Sequence, residues 1–196
     1  MTAKGAVAAG HPQTAEAGAL ILEAGGNAFD GALAALCMAC VAEPVLTSLG
    51  GGGFLTARTA AGETRVYDFF VQTPRRKRAL DEIEFYPIVA DFGTAKQEFH
   101  IGLGSLATPG TVRGLFDVYR ELGSVPMRRI VEPAVAAARE GVRVNHLQSY
   151  IFGVVAPSYL APAGARALSA SPEDTKRLYG TGERILRGAS PFEKRS

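Results

Sequence analysis

The residues of this chain whose type and spacing could support chemistry are glycines, cysteines, histidines and one basic run. Gly50–Gly53 is an unbroken run of glycines. A phosphate-binding loop has the order strand, glycines, helix, with Lys and Ser/Thr following, so that free helix N–H groups meet the anion. Here the run follows a helical stretch and precedes Phe54-Leu55 at the start of a strand-like stretch. It reads as a turn that allows close backbone packing, against a substrate or a neighbouring chain. Gly102-Leu103-Gly104-Ser105-Leu106-Ala107 matches the G-x-G-x-x-G/A pattern of dinucleotide-binding folds. That pattern requires a helix opening inside the motif and an acidic residue ending a second strand about 20 residues on. Pro109-Gly110 delays any helix until the motif is over, and no such acidic strand end follows. Dinucleotide binding is therefore the third reading, and it predicts retained NAD or flavin absorbance.

Cys37-Met38-Ala39-Cys40 has the C-x-x-C spacing of a redox pair or half a zinc site. A redox pair needs an exposed, low-pKa thiol at a helix N-terminus, whereas these two lie mid-helix among Leu36, Met38 and Val41. No second pair exists to complete a zinc site, so both read as buried structural cysteines. His11, His100 and His146 have no other ligand at short spacing, and neither a metal nor a cofactor is expected. Arg75-Arg76-Lys77-Arg78 lacks interleaved aromatics and reads as a solvated loop. No serine sits in a G-x-S-x-G elbow, so the residues alone display no self-contained catalytic machine.

Elements must position whatever chemistry there is. The 196 residues are 47% hydrophobic and 20% charged with a net charge of +2, a balance that excludes disorder throughout and an obligatory nucleic-acid partner. No apolar signal core of about 7–15 residues follows Met1, and the apolar stretch 31–42 falls short of the roughly 20 residues that span a bilayer. A cytoplasmic chain with no membrane contact is expected. Gly5–Ala9 reads as a short buried strand and Pro12–Ala24 as a helix stopped by Gly25-Gly26. Asn27 caps a second helix with Asp30 three residues later, and that helix ends before Pro44. Being apolar all round, it needs cover on both faces, which a layered fold would provide and a lone antiparallel bundle would not. Phe54–Thr59 and Thr64–Val71 read as a hairpin, Gln72–Gln97 shows no period, and Phe99–Ala107 reads as a strand. Helices are expected at Thr111–Leu122, Pro126–Glu140, Asn145–Val155 and Pro172–Tyr179, with Pro109 and Pro126 suited to first-turn positions. The mixture predicts an α/β or α+β fold.

One ordered set of motifs goes further. Glu23-Ala24-Gly25-Gly26-Asn27-Ala28-Phe29-Asp30, Glu43-Pro44 and Gly50–Phe54 follow one another from the N-terminus. Val66-Tyr67-Asp68-Phe69 runs on to Pro74, then come Thr108-Pro109-Gly110-Thr111-Val112-Arg113-Gly114 and Pro133-Ala134 through Gly141. Together they resemble the start of the large subunit of γ-glutamyltranspeptidases, in unbroken order over roughly residues 5–150. The resemblance implies an N-terminal-nucleophile hydrolase with an αββα sandwich, of which this chain is the N-terminal portion. Residues 1–150 would form the large-subunit N-terminal region and 151–196 a looser helical continuation.

The same resemblance implies the function. Family precursors cut themselves in two, and the new N-terminal threonine of the small subunit attacks a γ-glutamyl or related amide. A Thr-Thr-His-like processing stretch does not occur in this sequence. No catalytic residue is therefore assigned within the chain, which is expected to be inactive until joined by a small-subunit-like half. The family's arginine that binds the substrate α-carboxylate follows Asp-Phe directly, and Phe70 stands at that position here. Phe70, Val71, Gln72 and Thr73 are the expected substrate-binding residues, lining an acyl pocket for a small-molecule amide. A homo-oligomer is compatible with this reading. The alternative, from another class, is a non-catalytic remnant or assembly domain that keeps the fold.

Overall fold

The computed structural model describes residues 5–160. The chain divides into two compact units, one built from Met1–Gln72 and Thr108–Arg143, the other from Thr73–Ala107 and Val144–Ser196. The helix expected at Pro172–Tyr179 lies outside the described residues.

In the first unit, α1 (Pro12–Glu23) starts at His11, whose Nδ1 accepts the Gln13 N–H at 3.2 Å. Thr14, Ala17, Gly18 and Ile21 recur at helical spacing and form its buried face. α2 (Ala28–Ala42) begins with a reciprocal cap: Asn27 Oδ1 accepts the N–H groups of Phe29 and Asp30, while Asp30 Oδ2 accepts that of Asn27. This satisfies donors that the first turn leaves without helical partners and sets a carboxylate at the positive end of the helix. α1 and α2 approach closely where Gly18 meets Gly31; a Cβ on either would stand 3.1–3.2 Å from the other's carbonyl oxygen. α3 (Thr111–Leu122) and α4 (Met127–Glu140) complete the helical layer.

The core gathers Leu33, Ala34, Cys37, Met38 and Ala42 of α2 with Ala17 and Ile21 of α1, Leu115 and Val118 of α3, and Ile130 and Ala134 of α4. α2 is thus covered chiefly by three helices. The hairpin of β1 (Phe54–Arg58) and β2 (Thr64–Asp68) adds Leu55 and Tyr67 at the margin of that core. Asp30, fully buried, also ties the α3–α4 loop, its Oδ1 accepting the Ser124 N–H at 3.0 Å and its Oδ2 accepting from Ser124 Oγ. Asn27 Nδ2 donates to the Leu122 carbonyl at 2.7 Å.

The second unit contains the antiparallel pair β3 (Tyr86–Asp91) and β4 (Lys96–Ile101), and α5 (His146–Leu160). The Tyr150 hydroxyl on α5 donates to the Phe92 carbonyl at 3.0 Å. Among the described residues of this unit, only Ala90 and Gln148 are buried.

Four expectations are corrected. Gly5–Ala9 is not a strand: no described strand lies alongside to share its hydrogen bonds, and most of its residues are exposed. The aperiodic stretch 72–97 contains β3, hidden because Pro87 and Val89 on its exposed face are as apolar as Ile88 and Ala90 on its covered one. The strand placed at Phe99–Ala107 is β4, ending at Ile101, because Gly102 turns the chain with φ +104° into a 3-10 turn at Leu103–Ser105. Pro109 lies outside α3, whose cap is Gly110, and Pro126 is the cap of α4 rather than its first residue.

Candidate functional site

The candidate site is the corner of the first unit where the glycine run, the end of β2 and the start of α3 converge. The β1–β2 ladder pairs Phe54 with Asp68. It continues one residue outward, since Gly53 and Phe69 exchange hydrogen bonds at 3.3 and 3.1 Å. The Gly51 carbonyl accepts the N–H groups of Gly110 and Thr111 at 2.9 and 3.1 Å, joining the glycine run to the N-terminus of α3. Gly52 passes so close to the strand extension that a Cβ would lie 2.7 Å from the Phe69 carbonyl oxygen. Any larger residue would displace that backbone. The Phe69 ring lies over Gly114, where an added Cβ would collide with it. The glycine run does pack closely, but its partner is its own chain's strand extension and α3, which differs from the substrate or neighbouring chain expected from the sequence.

Phe70, Val71, Gln72 and Thr73 follow from this junction. Phe70 N–H is held by Asp68 Oδ1 at 3.0 Å, and its ring stacks on Phe54 with centroids 5.4 Å apart and planes 13° from parallel. Such a separation falls in the ordinary range for stacked aromatics. Gln72 exchanges both backbone hydrogen bonds with Thr108, at 3.1 and 2.7 Å. Val71 is half-buried in the same stretch, and Thr73, exposed, opens the second unit. Phe70 thus acquires a partner that inspection of its own neighbourhood does not supply. Phe54 precedes it by a whole hairpin, and the signal lay in the pairing: with Phe54 opposite Asp68, Phe70 is the diagonal neighbour on the same face. Behind the corner, the Tyr67 hydroxyl donates to Glu121 Oε2 at 2.7 Å, and desolvation together with that bond pushes the hydroxyl above the usual tyrosine range.

The other residues singled out are dispersed. His11 is buried as the cap of α1. His100 on β4 stacks on Phe85 at 4.5 Å, with Nε2 3.7 Å from Glu98 Oε1. His146 opens α5. Cys37 is buried and Cys40 half-buried. Burial, with a smaller contribution from Cys40, pushes the Cys37 thiol up to about 11, so it stays protonated and unreactive at neutral pH. Gly102–Ala107 opens no α-helix, so helix N–H groups are not presented within the motif. Residues 75–78 are exposed and irregular, as expected of a solvated loop. No helix among the described residues is long and apolar enough to cross a membrane.

Comparison with known proteins places this geometry. The model of the family described as gamma-glutamyltranspeptidase matches residues 14–187. The chain is 33% identical over 147 residues to the acylase ACY 1 proenzyme of Pseudomonas sp. strain SE83, covering 72% of this chain and 26% of that protein. It is 35% identical over 147 residues to the glutathione hydrolase proenzyme of Escherichia coli K12, covering 72% of this chain and 24% of that one. The chain therefore spans about a quarter of the length of these curated relatives. The fold superposes on the crystal structure of Helicobacter pylori gamma-glutamyltranspeptidase with a TM-score of 0.70 at 22% identity, covering 96% of this chain and 56% of that one. The expected mixed α/β fold is thus the observed one and is shared with gamma-glutamyltranspeptidase structures, the described strands forming two separate two-stranded antiparallel pairs. By its motifs, its fold and these matches, the chain belongs to the γ-glutamyltranspeptidase family.

Proposed function

We propose that this chain is the large-subunit part of an amide hydrolase or acyltransferase whose nucleophile is a threonine carried by polypeptide outside these 196 residues. A threonine at a new N-terminus can use its own α-amine as base, since that amine titrates near about 8. The hydroxyl attacks the amide carbonyl and the leaving amine departs with a proton. Water or an acceptor amine then takes the acyl group.

In this reading the contribution of the chain is recognition. Residues 70–73 line the acyl side of the pocket, on a backbone tied to the glycine run and to Thr108. The observation that carries the substrate assignment is Phe70, directly after Asp68-Phe69. A guanidinium there would clamp a carboxylate through two parallel hydrogen bonds, which a phenyl ring cannot reproduce. We therefore assign an acyl amide rather than a γ-glutamyl amide as the preferred substrate. The similarity to a protein named as an acylase supports this choice.

The test joins the chain to its downstream polypeptide and assays hexanoyl-p-nitroanilide beside γ-glutamyl-p-nitroanilide. Faster release from the hexanoyl amide is expected. Release from neither amide would refute the enzymatic reading, and the chain would then be a non-catalytic member of the family.

A further inference from the structure

We propose that Phe54 and Phe70 form a two-ring platform that binds the acyl group itself, which defines the substrate class as amides of uncharged aromatic or aliphatic acids. The proposal rests on the reading of this corner as the acyl side of the pocket. Its own evidence is geometric. The two rings lie 13° from parallel with centroids 5.4 Å apart, an offset stack in which each ring overlaps only part of the other. Phe54 remains 63% exposed and Phe70 50% exposed, which leaves a large apolar area facing outward. Phe54 lies in the β1–β2 ladder next to Gly53, which exchanges hydrogen bonds with Phe69, and Phe70 is held through its N–H to Asp68 Oδ1. A flat apolar surface that is already ordered loses little conformational freedom when a ligand lands on it. A flat ring or an extended alkyl chain has the shape to cover it.

Charge at the platform favours the same occupant. The Asp68 side chain, anchored to the Phe70 N–H, is the acidic group beside the stack. A carboxylate brought to this surface would meet another carboxylate instead of a guanidinium, an arrangement that selects against acid-bearing acyl groups. Apolar acyl groups incur no such penalty and bury surface that the fold leaves in water.

Two experiments separate this platform from the wider enzymatic reading. In the first, the 196-residue chain with isotope-labelled phenylalanine rings is titrated with hexanoyl-p-nitroanilide and, separately, γ-glutamyl-p-nitroanilide, the ring signals being assigned with Phe54→Leu and Phe70→Leu. The hexanoyl amide is expected to shift both rings, and the γ-glutamyl amide, which has the same leaving group, neither. Equal shifts from both probes, or none from either, would overturn the platform whatever the joined enzyme turns over. In the second, the joined enzyme carrying Phe54→Ala is expected to show a KM for the hexanoyl amide raised about tenfold with kcat nearly unchanged. Phe70→Arg is expected to move the kcat/KM preference toward the γ-glutamyl amide by about tenfold or more. A hexanoyl preference indifferent to both substitutions would overturn the platform while leaving the hydrolase reading intact. Ring shifts in the chain without turnover by the joined enzyme would support the platform and refute the hydrolase reading.

Discussion

The helical unit and the hairpin unit of this chain differ in where their apolar residues go. In the first, Leu33, Val118 and Ile130 are fully buried, and the buried carboxylate of Asp30 has hydrogen bonds to both of its oxygens. In the second, Leu80 is 90% exposed and Val89 58% exposed, and Ala90 is the buried apolar residue among those described. A unit with a shared core resists loss of any member, because a cavity in close-packed surroundings collapses only in part. A hairpin whose buried apolar residue is a single alanine, Ala90, has less to lose. The comparison teaches that buried apolar packing is concentrated in α1–α4, while β3 and β4 pair only with each other among the described residues, an arrangement whose edges favour association with another chain.

Substitutions can break or sharpen that contrast. The largest effect is expected for Ile130→Ala, which should cost about 3 kcal/mol in urea unfolding followed by circular dichroism. Asp30→Ala should cost nearly as much, about 2–3 kcal/mol, because it strips partners from the Asn27 and Ser124 N–H groups at once. If Asp30→Ala left the urea midpoint unchanged, the lock between the cap of α2 and the α3–α4 loop would have no energetic weight. Asn27→Ala should cost about 1 kcal/mol through the lost cap. The smallest effect is expected in the hairpin unit, where Val89→Thr should change stability by less than about 0.5 kcal/mol. A loss comparable to that of Ile130→Ala would erase the distinction between the two units.

The buried thiol adds a pH test of the core. Cys37 keeps its proton in the folded chain up to about 11, whereas the unfolded chain gives it up near the ordinary cysteine value of 9.0. The protonated thiol's contribution is therefore whole below pH 9 and is lost as the pH rises toward 11. Urea midpoints measured across that window should fall more steeply for the native sequence than for Cys37→Ala. In the folded chain at pH 8, iodoacetamide should modify half-buried Cys40 before Cys37.

Much of the helical unit was legible in the residues. Asn27 and Asp30 define a cap through their own side chains, and the apolar period of Leu115, Val118, Ile130, Ala134 and Ala137 marks which faces are buried. These are local properties, so α1 to α4 begin and end within about a turn of where the sequence puts them. β3 was not legible, because apolar residues on both faces, Pro87 and Val89 beside Ile88 and Ala90, leave no apolar–polar alternation to read. Gly5–Ala9 misled for the opposite reason: a strand-like composition forms a strand only when another strand supplies its hydrogen bonds. At the site, the order of motifs carried the family, and the identity of residue 70 carried the expectation about the substrate.

By itself, the sequence determined what depends on neighbours within a turn or two: helix caps, buried faces, glycine positions and the phenylalanine after Asp68-Phe69. Tertiary structure decided what depends on register between distant segments. Pairing Phe54 with Asp68 brings Phe54 against Phe70, and the approach of Gly51 and Gly52 to residues 69–71 and 110–111 ties that corner together. Register is a property of two strands at once, set by the turn and the ladder between them, so no single stretch of residues contains it.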